Sequence, residues 1–204
     1  MRFLLGNPLL IEEFGTVDVL IYGDFLHTVL DNAMTIRGDG SYAEIYKSGS
    51  LIGRRKSEKE IELEDLSFEP IKGFKIFLGI NDDLKDMDNF RLAFYFGIPL
   101  IVIFTDRVGI DKDEIFAKFW PIAQDNFSVV VSCVKDSNSN NFFYSVYVPM
   151  ELTLDKTGII CSLQPYYYFE FNFSLLNQLK RKDPIYSKMK EPTYFTFLKR
   201  YFND

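Results

Sequence analysis

The stretch FKIFLGINDDLKDMDNFRLAFYFGIPLIVIF, residues 74–104, joins two apolar runs through a polar break and an amphipathic segment. The runs 74–80 and 98–104 each have the length and composition of a buried β-strand. Between them, apolar side chains recur at helical spacing, and residues 81–83 offer a polar cap and acidic charge suited to a helix start. Gly97 can end that helix. The stretch therefore predicts a strand–helix–strand unit.

The residues that follow repeat this alternation. Residues 112–124 have a helical pattern that we expect to break or kink at Pro121, and residues 127–134 read as a strand. Strands that alternate with helices favour parallel pairing. The sequence thus predicts a three-layer α/β fold with a mostly parallel sheet, to which residues 127–150 add a hairpin.

Further elements extend this centre in both directions. Upstream, residues 17–24, 41–47 and 61–68 read as strands, and a charged loop or hairpin tip is expected at 53–60. Downstream, the aromatic segment 165–173 alternates like a strand. A short helix from Ser174 and a final strand at 192–204 follow. No linker interrupts the chain, so residues 1–204 are expected to form a single domain.

The cysteine count and the apolar runs limit the class of protein. Cys133 and Cys161 lie 28 residues apart with no CxxC motif, and the chain has one histidine, His27. A zinc site of the Cys/His type is therefore excluded, and no metal is expected. We expect no signal peptide, and the sequence contains no run of roughly 18 apolar residues. We expect a cytoplasmic protein with no membrane contact.

Charge is unevenly distributed along the chain. The net charge is −6, yet residues 180–204 are basic, with seven Lys and Arg side chains against three acidic ones. A basic segment can be a solvated surface, or it can contact a phosphate backbone. A second basic group, Arg54, Arg55 and Lys56, lies in the predicted charged loop.

The segment MTIRGDGSYAEIYKSG, residues 34–49, resembles a segment of the gamma subunit of translation initiation factor 2, which reads ITIKLGYANAKIYKC. Landmarks similar to that family then occur in family order at residues 17–27, 60–68, 89–106, 148–159 and 180–204. The resemblance implies a P-loop-GTPase-like fold that lacks the second and third domains of the family.

The resemblance also implies that the nucleotide-binding motifs are lost. A working phosphate loop needs a lysine for the β- and γ-phosphates and a hydroxyl for Mg²⁺, but Val29 and Leu30 occupy these positions. The degenerate positions are Gly23, His27, Thr28, Val29, Leu30, Thr35, Asp65 and Asp106. We therefore expect no catalytic residues, no nucleotide cofactor and no enzymatic activity.

On this basis the chain is expected to be a non-catalytic translation factor that binds the ribosome or rRNA, of an inhibitory or dormancy type. The candidate contacts with RNA or a partner are Arg54, Arg55, Lys56, Lys180, Arg181, Lys182, Lys199 and Arg200. No DNA is expected as a partner. One alternative is an adaptor that mimics the gamma subunit and binds other initiation factor subunits.

A second alternative is a small metal-dependent nuclease. Asp18, Asp39, Glu44 and Lys47 could imitate the acids and the lysine of such an enzyme. However, an odd offset places Glu44 and Lys47 on opposite faces of a strand, which argues against it. His27 is expected to be structural, because no nucleophile motif accompanies it.

Overall fold

A computed structural model describes residues 1–23, 30–57, 67–85 and 88–182. The strands are β1 (Arg2–Leu5), β2 (Val19–Gly23), β3 (Met34–Gly38), β4 (Tyr42–Lys47), β5 (Ser50–Lys56), β6 (Ser67–Ile71), β7 (Phe74–Gly79), β8 (Leu100–Thr105), β9 (Val129–Lys135), β10 (Phe142–Tyr147), β11 (Ile159–Gln164) and β12 (Tyr167–Glu170). The α-helices are α1 (Ile11–Phe14), α2 (Asp88–Tyr95), α3 (Lys112–Asn126) and α4 (Phe173–Lys182).

These strands form two six-stranded sheets. The first sheet has the order β12-β1-β2-β3-β4-β5, and the second has the order β11-β10-β9-β8-β7-β6. In each sheet a parallel trio, β1-β2-β3 or β7-β8-β9, is flanked by antiparallel strands. Both sheets are therefore mixed.

The sheets pack face to face around one shared apolar core. It combines side chains such as Phe3, Ile21 and Ile36 from the first sheet with Leu78 and Val131 from the second. Helices α2 and α3 cover the outer face of the second sheet, where they bury a separate apolar cluster. The short α1 packs against part of the outer face of the first sheet.

This architecture corrects the predicted fold class. A P-loop-GTPase-like fold with one mostly parallel sheet is wrong, because the strands divide between two mixed sheets. The predicted parallel pairing of β7, β8 and β9 and the hairpin of β9 and β10 are confirmed. A strand buried on both faces has the same sequence pattern whether a helix or a second sheet covers it. The pattern therefore does not distinguish one sheet between helices from two sheets packed face to face.

Helix boundaries differ from expectation at two places. The helix α3 starts after Asp111, whose side chain accepts the N–H groups of Asp113 and Glu114, and it continues through Pro121 to Asn126. The predicted break at Pro121 is therefore wrong. Residues 81–83 do not cap α2, which begins at Asp88; they instead form the turn that ends β7. Within the four described ranges, no helix combines the length and apolar character needed to cross a bilayer.

Candidate functional site

Polar side chains collect where parallel strands of both sheets end. The turn after β3 meets the turn after β7, because the Asn81 N–H donates to the Gly40 carbonyl at 3.0 Å. Gly40 has φ +103°, and a Cβ there would lie 2.9 Å from the Asn81 amide nitrogen. Glycine is therefore required at this crossing. We call Gly40, Arg55, Asn81, Asp83 and Asp106 the strand-end cluster.

Asn81 is the centre of this cluster. Its side chain is held on both ends, since its Nδ2 donates to Asp106 Oδ1 at 2.6 Å and its Oδ1 accepts from Thr105 Oγ1 at 2.7 Å. The Asp106 N–H also donates to Asn81 Oδ1 at 3.2 Å. Asn81 is only 7% exposed, whereas Asp106 is exposed. The amide is thus fixed in place beside a carboxylate that reaches solvent.

Arg55 and Asp83 form a buried ion pair in the same cluster. Their side chains are 3% and 0% exposed, and Arg55 Nη2 lies 2.9 Å from Asp83 Oδ1. Asp83 Oδ2 accepts the Ile80 N–H at 2.8 Å, which ties the pair to the turn. Arg55 Nη1 donates to the Lys56 carbonyl, but the buried Arg55 Nε has no acceptor among the described residues.

Asp82, next to Asp83 in the chain, has its own set of polar partners. Asp82 accepts a hydrogen bond from Ser57 and lies 2.7 Å from the Lys85 ammonium and 3.4 Å from the Arg107 guanidinium. The hydrogen bonds from Lys85 and Ser57 lower the pKa of Asp82. It is therefore an ionised, fully occupied carboxylate rather than a proton acceptor.

The two cysteines of the chain are buried in the core between the sheets. Burial raises the pKa of Cys133 well above its ordinary value and that of Cys161 to about 12. A nucleophilic cysteine must be a thiolate that its substrate can reach. Neither cysteine meets this requirement.

The positions that the GTPase resemblance singled out do not form a phosphate loop. Gly23 ends β2, and its N–H donates across the sandwich to the Tyr144 hydroxyl at 3.0 Å. Thr35 is buried in β3 and accepts the Leu30 N–H at 3.3 Å. Asp106 belongs to the strand-end cluster. The remaining positions, His27, Thr28, Val29 and Asp65, lie outside the described residues.

The predicted RNA contacts divide into different environments. Arg54, Arg55 and Lys56 lie in β5, so the predicted loop tip is wrong; Arg54 pairs with Glu44, and Lys56 is exposed. Lys180 is 3% exposed. The exposed Arg181 and Lys182 end α4, while Lys199 and Arg200 lie outside the described residues. Contact of this set with RNA stays a prediction.

The four residues of the nuclease alternative do not come together. Asp18 pairs with Arg2, Asp39 caps the Ser41 turn, Glu44 pairs with Arg37 and Lys47 donates to the Pro70 carbonyl. Among the described residues, no three or more His, Cys, Asp and Glu side chains are grouped to hold a metal ion.

Comparison with solved structures places this architecture in a known class. The fold is nitrilase-like, an α-β-β-α sandwich. Nit3 of Saccharomyces cerevisiae, a branch 10 member of the nitrilase superfamily, matches with a TM-score of 0.68 and 10% identity, over 95% of this chain and 96% of that one. No protein-family model and no curated protein matches the sequence.

Two bacterial structures are similar. A CN-hydrolase superfamily protein of Xanthomonas campestris, with an arsenic adduct in its active site, has a TM-score of 0.65 and 12% identity, over 94% and 97% of the two chains. An amidase from Nesterenkonia sp. has a TM-score of 0.60 and 12% identity, over 89% and 95%. A variant of that amidase carries a covalent acetamide adduct at its active-site cysteine.

This likeness overturns the expected function. The expected derivation from a translational GTPase, and the non-catalytic translation factor inferred from it, are wrong, because the fold is that of nitrilase-superfamily structures and not of a translational GTPase. The gamma-subunit resemblance rested on strand patterning that two unrelated α/β architectures share. The alternative of an initiation-factor adaptor falls with it. The nuclease alternative is also contradicted, since its four residues have separate partners.

Sequence reasoning missed the strand-end cluster, although one signal pointed to it. Residues 81–83 were interpreted as a helix cap, and Arg55 as a surface cation. A run of polar residues directly after a buried strand also suits a site at a sheet edge. The partner of that run, β5, is distant in sequence and lies in the other sheet, so spacing could not reveal the Arg55–Asp83 contact.

Proposed function

We propose that the chain binds a small molecule bearing an amide or carboxylate oxygen at the strand-end cluster. One observation carries this proposal: the Arg55 Nε–H is buried without an acceptor among the described residues. Leaving a buried donor unpaired costs about 1–3 kcal/mol. A ligand oxygen that accepts this N–H recovers that cost.

The charge of the cluster favours a neutral or singly charged ligand. Asp83 already neutralises Arg55, so the remaining donor suits an amide carbonyl or one carboxylate oxygen. The exposed Asp106 carboxylate, in contact with Asn81, can accept an N–H of the ligand. A primary amide presents both groups, a carbonyl oxygen and an N–H donor, on one small molecule.

Hydrolysis of a C–N bond is a second candidate function, favoured by the likeness to amidases. Both cysteines are buried and protonated, which closes the thiolate route in this chain. Attack by water, with the Asp106 carboxylate as the general base, is the route that the described cluster offers. An amide and water would then give a carboxylic acid and ammonia.

Thermal unfolding and ammonia release, measured in the same samples, test both functions. We expect acetamide, propionamide or butyrate to raise the Tm of the protein, since a ligand of the folded state stabilises it. The Asp106→Asn variant should lose the response to amides, and the matched helix-surface control Asp125→Asn should keep it. No response to any small amide or carboxylate would overturn the binding proposal.

Ammonia release decides the second candidate. Release that iodoacetamide leaves unchanged and that Asp106→Asn abolishes would support hydrolysis by water. Binding without release would overturn hydrolysis and leave the binding proposal standing. Release that iodoacetamide blocks would contradict the assignment of both cysteines to the core.

A cytoplasmic location belongs to the same proposal. Both cysteines are free, which is typical of a reducing compartment. Cell fractionation tests it, and recovery of the chain outside the cytosolic fraction would contradict it.

A further inference from the structure

A groove lies on the outer face of the first sheet, separate from the interior of the strand-end cluster. It has a volume of about 440 Å³ and is lined by Ser41, Tyr42, Glu44, Arg54, Lys56 and Ser57. We call it the outer groove. Strand register explains its lining, because Tyr42 pairs with Lys56 and Glu44 pairs with Arg54. Side chains at alternate positions of a strand point to one face, so Arg54 and Lys56 project together.

Glu44 organises the floor of the outer groove. It is 3% exposed and accepts hydrogen bonds from the Tyr46 hydroxyl at 2.7 Å and from Arg37 Nη2 at 2.8 Å, and it also pairs with Arg54. Burial opposes its ionisation, but the hydrogen bonds from Tyr46, Arg37 and Arg54 outweigh burial and lower its pKa. The carboxylate is therefore ionised at neutral pH and holds both guanidinium groups in place.

Positive charge remains after these pairs are made. Glu44 is shared between Arg37 and Arg54, and Lys56 is exposed with no ion-pair partner in the described part of the chain. Arg54 and Lys56 thus present positive charge at the groove, in a protein whose overall net charge is −6. The guanidinium of Arg54, at 42% side-chain exposure, still presents N–H groups to solvent.

We infer that the outer groove binds the phosphate group of a small phosphate monoester. Arg54 and Lys56 lie two residues apart on one strand, about 7 Å along it, so a single phosphate between them can contact both. A phosphate monoester carries about −1.5 to −2 charges at neutral pH, so the guanidinium of Arg54 and the ammonium of Lys56 both attract it. Arginine in a fixed orientation binds phosphate oxygens with two parallel hydrogen bonds.

The register of β4 and β5 makes this a prepared site rather than a scattered basic surface. The buried Glu44 carboxylate pairs with Arg54 and fixes its side chain, so this side chain loses little conformational freedom when a ligand binds. Lys56 supplies a mobile second contact. A phosphate diester, with one charge and one fewer free oxygen, satisfies the site less well.

Titration of the full chain with phenyl phosphate, followed by phosphorus NMR, tests the inference. We expect Lys56→Gln to weaken binding by roughly tenfold or more, the loss expected for one charge-assisted contact. The matched control Lys112→Gln removes an exposed lysine at the start of α3 and should leave binding unchanged. Lys56 forms no ion pair with any residue that the structure describes, so its replacement should not alter the Tm.

The result of the titration either supports or overturns the phosphate site in the outer groove. If phenyl phosphate binds and dimethyl phosphate does not displace it, the result would support a monoester site. Equal losses in both lysine variants, or no binding by the unaltered protein, would overturn it. Binding of an oligoribonucleotide with which phenyl phosphate cannot compete would also overturn it, in favour of a nucleic-acid surface. Amide binding at the strand-end cluster should be unaffected by Lys56→Gln, so a failure of the phosphate-site inference can be told apart from a failure of the amide-binding proposal.

Discussion

The two outer faces of the sandwich are covered in opposite ways. On the second sheet, side chains such as Ile101 and Val130 lie under α2 and α3, which contribute Phe90, Ile115 and Phe119 to one apolar cluster. All five are nearly or completely inaccessible to solvent. Burial of apolar surface supplies most of the stability of such a layer.

On the outer face of the first sheet, the apolar surface extends only as far as β2. The short α1 covers Leu20 and Tyr22, but the next strands present Arg37, Glu44 and Arg54 on the same outer face. A buried charge needs partners and contributes little net stability. The outer face of the second sheet therefore contributes mainly to stability, whereas the outer face of the first sheet holds charged groups where a ligand can reach them.

The largest effect is expected from the helical face. Phe119→Ala removes a fully buried ring from α3 and should lower the free energy of unfolding by about 3–5 kcal/mol, since it leaves a cavity. Urea unfolding measures this loss. The control Phe116→Ala, at a half-buried position of the same helix, should cost less. A loss below that of the control would show that the helices are not the main stabilising layer.

A smaller effect is expected from the charged face. Glu44→Gln leaves Arg37 and Arg54 without their shared carboxylate and should lower the free energy of unfolding by about 1.5–3 kcal/mol, the range for hydrogen bonds to charged groups. Glu151→Gln, at an exposed site, is the matched control. A cost above that of Phe119→Ala would reverse the comparison between the faces.

Acidification should remove part of the contribution of Glu44. Its pKa is lowered in the folded protein, so the stability it adds is fully present above the unfolded value of about 4.3 and is lost as the pH falls through the lower folded value. The difference in unfolding free energy between the unaltered protein and Glu44→Gln should therefore shrink below about pH 4.3. A difference that is constant from neutral to acidic pH would contradict the ion-pair assignment.

The sequence predicted local structure better than assembly. The apolar runs at β2, β7, β8 and β9 were recognised as buried strands, because period and composition report on a residue's own surroundings. The division into two sheets depends on which layer covers those strands, and that information is non-local. The same limit applies to the candidate site, where Arg55 meets Asp83 across 28 positions of sequence.

Glu44 is the clearest example of burial that a sequence pattern cannot predict. A glutamate in an alternating strand reads as a solvent-facing residue, yet it is 3% exposed because Arg37, Arg54 and Tyr46 surround it. Each of these partners is a common surface residue by type. Only their register on neighbouring strands makes them a buried group.

The pairing of β1 with β12 has a consequence for how the chain reaches this structure. Phe3 stacks on Phe169 with ring centroids 4.7 Å apart, and the Phe171 N–H donates to the Met1 carbonyl at 2.9 Å. During synthesis, the edge of β1 cannot be covered until residues 167–170 have left the ribosome, so it is an open sheet edge while most of the chain is being made.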